Sequence, residues 1–182
     1  MHVHILGICG TFMGSLAVLA KQLGHRVSGS DVNVYPPMST QLQQLGIDLN
    51  EGYRPEHMQP PPDLVIIGNA LSRGNPAVEY VLNEGLSYMS GPQWLAQFVL
   101  HDKWVLGVAG THGKTTTTSL IANILAEAQL DPTVINGGVI NAIKNTAHLG
   151  KSEWEVIESD ESDGSFLKLP VTYSIVTNVD RE

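Results

Sequence analysis

The sequence predicts an α/β protein built on parallel sheets, and three observations carry that expectation. Short apolar runs alternate with segments of helical periodicity along the 182 residues. A glycine-rich turn, Gly7-Ile8-Cys9-Gly10, joins the first apolar run to the first helical one. The same order of strand, glycine loop and helix then restarts at residues 104–128. The chain thus reads as a Rossmann-like parallel-sheet domain over residues 1–100. An incomplete α/β domain of the P-loop type follows over residues 104–182.

Taken in order, residues 3–6 form a short buried strand and residues 12–23 a helix, stopped at Gly24 because glycine accepts the left-handed conformation. Residues 26–30 make the second strand. Ser39 is placed to cap a helix that runs to Leu45 and is stopped by Gly46. Residues 64–67 are a clear strand followed by Gly68-Asn69-Ala70, and Asn75-Pro76 opens a further helix, with proline suited to its first turn. A short strand at 87–89 and a helix at 92–100 complete this part. The run Pro60-Pro61-Pro62 is a loop within it, and the boundary falls at His101-Asp102-Lys103, where polarity peaks. In the second part, strands are expected at 104–109, 133–135, 154–157 and 173–177, with a tight loop at 110–113 and a helix at 114–128. An open parallel sheet has both faces covered by helices. No helix follows the last expected strand, so the chain is expected to be a fragment or a truncated form.

Composition narrows the function classes. A net charge of -8 with no cluster of Lys and Arg argues against a nucleic-acid partner. No stretch reaches the roughly 20 apolar residues that span a bilayer, so no membrane role is expected. The single cysteine, Cys9, cannot form an internal disulfide, and a cytoplasmic location follows as the expectation.

Three motifs carry chemistry. The turn Gly7-Ile8-Cys9-Gly10-Thr11-Phe12-Met13-Gly14 presents backbone N–H groups at a helix start, where the positive end of the dipole favours a phosphate. Asp31 ends the second strand, where a dinucleotide-binding domain would hold a ribose hydroxyl. The G-x-G-x-x-G fingerprint fails, however, with Cys9 and Phe12 at its second and third glycine positions, which disfavours an NAD-linked oxidoreductase. The second motif is Ala109-Gly110-Thr111-His112-Gly113-Lys114-Thr115-Thr116-Thr117. Its glycines let the backbone wrap a phosphate, Lys114 supplies charge, and the Thr115 hydroxyl can ligate magnesium. The strict phosphate-loop pattern is missed by one position, since Val108 lies five before Gly113, but the strand–loop–helix setting is the one nucleoside triphosphate binding requires. The third is the acidic run Glu158-Ser159-Asp160-Glu161-Ser162-Asp163-Gly164 at a strand end, where carboxylates can hold a magnesium ion. Asn178 and Asp180 form a second polar strand end.

Together these motifs resemble the Mur ligases, which build the peptide of bacterial cell-wall precursors. The stretch 109–117 looks like their ATP loop, and Ser28-Gly29-Ser30-Asp31 with the Gly7 turn looks like the segment that holds the uridine diphosphate of UDP-N-acetylmuramate. The resemblance points to the two kinds of ligase that act on UDP-N-acetylmuramate, one adding L-alanine and one attaching L-Ala-γ-D-Glu-meso-diaminopimelate. The N-terminal part is more similar to the tripeptide ligase, and the stretch from Asn136-Gly137-Gly138 onward to the L-alanine ligase. The resemblance implies ATP and Mg2+ as cofactors. It implies ATP binding by Gly110, Thr111, His112, Gly113, Lys114, Thr115 and Thr116, metal binding by Thr115 and Glu158, and catalytic roles for Lys114 and Glu158. Gly7, Cys9, Gly10, Thr11, Met13, Ser30, Asp31 and Asn69 would bind the UDP-sugar. The implied reaction is amide ligation through an acyl phosphate, with the amine-binding domain outside these residues and the chain inactive alone. A non-catalytic UDP-sugar-binding module is the alternative.

Overall fold

The computed structural model describes residues 1–140, 145–159 and 165–180 and divides into two compact units, Met1–Trp94 and Leu95–Glu182. The first holds β1 (His2–Leu6), α1 (Thr11–Gln22), β2 (Arg26–Asp31), α2 (Met38–Gln44), β3 (Asp48–Glu51), β4 (Leu64–Ile67), α3 (Pro76–Asn83) and β5 (Tyr88–Ser90). A helix α4 (Gly91–Phe98) contains the division between the units.

All strands of the first sheet are parallel, in the order β3-β2-β1-β4-β5. Flanked on both sides, β1 is apolar at Val3, Ile5 and Leu6, each fully buried, as a strand covered on both faces must be. From this centre the chain winds outward through β2 to β3 and then returns to β4 on the other side of β1. That reversal opens a crevice at the carboxyl ends of β1 and β4. Residues 13–20 of α1 are all buried, and the small residues Gly14, Ser15, Ala17 and Ala20 let this helix lie close to its neighbours. A core of Leu6, Met58, Val65, Ala77, Val78 and Val81 fills the space between β1, β4 and α3. The Asn75 side chain caps α3 by accepting from the Ala77 and Val78 N–H groups at 3.0 and 3.3 Å.

The second unit contains β6 (Trp104–Ala109), α5 (Lys114–Glu127), β7 (Thr133–Ile140), β8 (Asn145–His148), β9 (Trp154–Glu158) and β10 (Tyr173–Val176), in the sheet order β10-β6-β9-β7-β8. This sheet is mixed. β8 runs antiparallel to β7, as strands joined by a short connection do. The packing of Ala122 against Val134 helps seat α5 on the sheet.

Other expectations are also revised. Ser39 does not cap α2; the cap position is Pro37, with no side-chain hydrogen bond, and Ser39 is buried inside the helix. The strand at 133–135 continues to Ile140, and β3 and β8 were not expected at all. The edge strand β3, Asp-Leu-Asn-Glu, has no buried residue and so shows no apolar alternation to read. Among the described residues no helix is long and apolar enough to cross a membrane.

Candidate functional site

In the first unit, the segments following β1, β2 and β4 enclose a cavity of about 620 Å³ at the crevice defined by the strand order. Gly7 takes a left-handed φ of 81°, and its N–H donates to the Ser30 carbonyl at 2.8 Å. Gly10 then caps α1 in extended conformation, so the first amides of a 12-residue helix lack intrahelical acceptors at the cavity. Asp31 shapes this turn. One carboxylate oxygen accepts the Cys9 N–H and the other the Asn33 N–H, both at 2.9 Å. Each oxygen keeps further acceptor capacity, but the aspartate's evident work is bracing the loop. Burial, and then the Asp31 charge, push the Cys9 thiol up to about 11, so it is no nucleophile. No lysine or arginine lines the cavity among the described residues.

Behind the turn, His4, Ser28, Ser30 and His57 form a hydrogen-bonded chain. His4 is fully buried, with Nδ1 2.8 Å from Ser28 Oγ and Nε2 3.0 Å from Ser30 Oγ. Ser30 Oγ also meets His57 Nδ1 at 3.1 Å. Burial, reinforced by His2 and His57, lowers the His4 pKa to about 3, so the ring is neutral and the chain uncharged at its centre.

In the second unit, β6 delivers the chain into the loop 110–113. Gly110 has φ 133°, and a Cβ there would collide with Thr177 Oγ1 and lie 2.9 Å from the Asn178 carbonyl oxygen; only glycine fits. Gly113, at φ 81°, is the left-handed cap of α5. The loop is clamped from the end of β10. His112 N–H donates to Asn178 Oδ1 at 3.0 Å, while its carbonyl accepts from Thr177 Oγ1 at 2.6 Å and Asn178 Nδ2 at 3.0 Å. Asp180 N–H reaches Thr111 Oγ1 at 3.1 Å. Lys114 Nζ donates to the Gly110 carbonyl at 2.7 Å, which holds the ammonium over the loop. Thr115 Oγ1 donates to Glu158 Oε1 at 3.0 Å, and Gly137 N–H donates to Glu158 Oε2 at 2.6 Å. A Cβ on Gly137 would stand 2.8 to 3.0 Å from that carboxylate, so a side chain there would displace the Glu158 tip. The loop, a lysine, a hydroxyl and a carboxylate therefore meet at the carboxyl ends of β6 and β9, where open α/β sheets bind ligands.

Two family models match the chain, "Mur ligase family, catalytic domain" over residues 2–103 and "Mur ligase middle domain" over residues 108–182. The chain belongs to the Mur ligase family. It is 60% identical over 166 residues to the UDP-N-acetylmuramate–L-alanyl-γ-D-glutamyl-meso-2,6-diaminoheptandioate ligase of Escherichia coli (strain K12), covering 91% of this chain and 36% of that protein. It is 42% identical over 183 residues to the UDP-N-acetylmuramate–L-alanine ligase of Allorhizobium ampelinum, covering 99% of this chain and 38% of that one. The chain thus spans a little over a third of the length of these relatives. Among solved structures, the murein peptide ligase of Psychrobacter arcticus matches all of this chain and 43% of its own, with TM-score 0.92 and 45% identity. The UDP-N-acetylmuramate–alanine ligase MurC of Thermotoga maritima matches all of this chain and 42% of its own, with TM-score 0.91 and 28% identity.

Within this Mur ligase chain, Gly7, Cys9, Gly10, Thr11, Met13, Asp31 and Asn69 all line the first cavity. Ser30 does not. The residue is 1% exposed, its hydroxyl is turned to His4 and His57, and its carbonyl accepts the Gly7 N–H of the turn. Lys114, Thr115 and Glu158 are brought together with the loop residues Gly110, Thr111, His112 and Gly113, and Thr116 follows in the first turn of α5. The His112 backbone makes the loop clamp's hydrogen bonds. The rest of the acidic run, residues 160–164, lies outside the described residues. Sequence reasoning missed Tyr53 and Asn33 in the cavity and Thr177 in the loop clamp. Of these only Thr177 left a signal, its place at the end of an apolar run before the polar Asn178.

Proposed function

We propose that this chain is the nucleotide-handling part of an ATP-dependent amide ligase of peptidoglycan synthesis or recycling, acting in the cytoplasm on UDP-N-acetylmuramate. The observation that carries the reading is the Thr115–Glu158 contact beside Lys114, at the start of the helix that follows a glycine loop. The first unit takes the UDP moiety in its cavity, and the second takes the ATP triphosphate on residues 110–116. Hard oxygen donors on a threonine and a glutamate, in a site that phosphate oxygens would complete, suit Mg2+. No group of three or more His, Cys, Asp or Glu gathers for a metal among the described residues, so the ligand and water would supply the other donors. Thr115 and Glu158 would hold the ion, and when bound it would neutralise charge on the phosphates.

The chain's own residues account for the remaining binding and charge stabilisation. The α5 amides and the Gly110 turn orient the triphosphate. The Lys114 ammonium offsets charge developing on the transferred phosphoryl group, and such electrostatic stabilisation supplies much of the rate enhancement in phosphoryl transfer. The Gly137 N–H and the Thr115 hydroxyl hold the Glu158 carboxylate in place. The muramate carboxylate attacks the γ-phosphorus and forms an acyl phosphate with release of ADP; an amine then displaces phosphate and leaves the amide. Identity of 60% to a tripeptide-adding relative, against 42% to an L-alanine-adding one, favours L-Ala-γ-D-Glu-meso-diaminopimelate as the amine. Calorimetry of the 182-residue chain is expected to show UDP-N-acetylmuramate binding without Mg2+ and ATP binding that Mg2+ strengthens. A folded sample that gave heat with neither ligand would overturn the reading. UDP-N-acetylmuramate binding with no response to ATP would leave only a nucleotide-sugar-binding module.

A further inference from the structure

The cavity of the first unit presents a problem for an anion. It carries one carboxylate, Asp31, and no lysine or arginine among its described lining residues, so neutral N–H and O–H groups must do all of the work. The α1 amides supply one set of donors. A side-chain donor placed over the same turn would supply the rest, and the fold puts one there.

β3 pairs with the outer edge of β2, with Asp31 opposite Glu51. The Gly52 N–H donates to the Asp31 carbonyl at 2.8 Å, and Gly52 itself takes a left-handed φ of 84°. That pinned turn brings the next residue, Tyr53, back across the end of β2 into the cavity wall. Its phenol oxygen lies 4.0 Å from where a side chain on Gly7 would begin; the hydroxyl stands over the glycine turn. A phenol hydroxyl in that position has a proton to donate. Burial and then the Asp31 charge raise the Tyr53 pKa, so the phenol keeps its proton and remains a donor in neutral solution.

We propose that Tyr53 is a binding residue of the first unit, its hydroxyl donating to the diphosphate of a nucleoside diphosphate seated on the Gly7–Gly10 turn. This rests on the UDP-binding reading above. The hydroxyl substitutes for the missing cation and distinguishes a diphosphate ester from the bare nucleoside.

The test is calorimetric titration of the 182-residue chain and its Tyr53→Phe variant with UDP and with uridine. Phenylalanine keeps the ring and removes only the donor. A hydrogen bond to a charged oxygen is worth enough that UDP should bind the variant roughly ten-fold or more weaker. Uridine should bind both proteins equally, within about two-fold, because it has no phosphate to accept the bond. The 31P resonances of bound UDP should also shift between the two proteins. Equal loss for UDP and uridine would show that Tyr53 merely shapes the cavity or stacks on the base, and would overturn the proposal. Unchanged UDP affinity would overturn it as well. A wild-type chain that bound neither UDP nor uridine would remove the UDP-binding reading itself, a result distinct from either.

Discussion

Replacing Glu155 by glutamine removes an ionisation and leaves the shape nearly unchanged. Glu155 lies in β9 between Val105 of β6 and Thr133 of β7, is 1% exposed, and finds no hydrogen-bond partner for either carboxylate oxygen. Burial raises its pKa from 4.5 to about 8, with only Lys103 pulling it down. In the unfolded chain the group ionises above about pH 4.5; in the folded one it holds its proton until about pH 8. The unfolded state therefore binds fewer protons across that window, and stability falls as pH rises through it, then levels off. At about 1.4 kcal/mol per pH unit, the loss is about 1.4 kcal/mol at pH 5.5 and about 4 kcal/mol at pH 7.5. Urea unfolding followed by tryptophan fluorescence, to which Trp104 and Trp154 of the same unit contribute, should show the wild type losing about 2.5 kcal/mol more than Glu155→Gln between those two pH values. The glutamine protein can be the less stable of the two at pH 5.5, since a buried amide is also unpartnered; the pH slope is the decisive quantity. Equal slopes in the two proteins would refute the argument that Glu155 is folded as a neutral acid.

The first unit should respond in the opposite direction. With the His4 pKa lowered from 6.5 to about 3, protonation favours the unfolded chain below about pH 6.5, and about 2 kcal/mol should be lost by pH 5. Hydrogen exchange in β1 and β2, corrected for intrinsic rates, should report this loss, and His4→Gln should flatten it. In the second unit, Lys114→Met should weaken binding of a fluorescent ATP analogue roughly ten- to hundred-fold in Mg2+ and leave UDP binding unchanged; a variant that bound both normally would remove Lys114 from the ATP site.

How far the site could be read before folding follows from where each residue's signal lies. Apolar strands covered on both sides, such as β1 and β6, and the glycine turns after them announce themselves through composition, and with them Gly7, Gly10, Gly113 and Lys114. Strand β3 is polar and at an edge, so nothing marked it, and the turn that carries Tyr53 into the cavity went unmarked with it. The place of Ser30 was unreadable for a related reason. Alternation along β2 says that Ser28 and Ser30 share a face, but not which face, and only the register with β1 shows that they meet His4. Gly137 was unreadable as a functional residue because its constraint is a carboxylate 21 positions away in sequence.

On the proposed function the two units would meet phosphate with different chemistry, and the difference fits what each ligand would undergo. Around the Gly7 turn the donors are backbone amides and neutral side chains, with no lysine or arginine among the described lining residues and an aspartate spent on bracing. Such a set can hold and orient an anion by hydrogen bonds alone. Around the Gly110 loop a lysine, a hydroxyl and a glutamate converge on one strand-and-helix junction. Full charges there can follow the growth of charge on a phosphoryl group in transit, which raises a rate rather than only an affinity. On the proposed function the diphosphate is a handle and the triphosphate is the reactant, and the placement of charged side chains is the physical reason the two are not interchangeable.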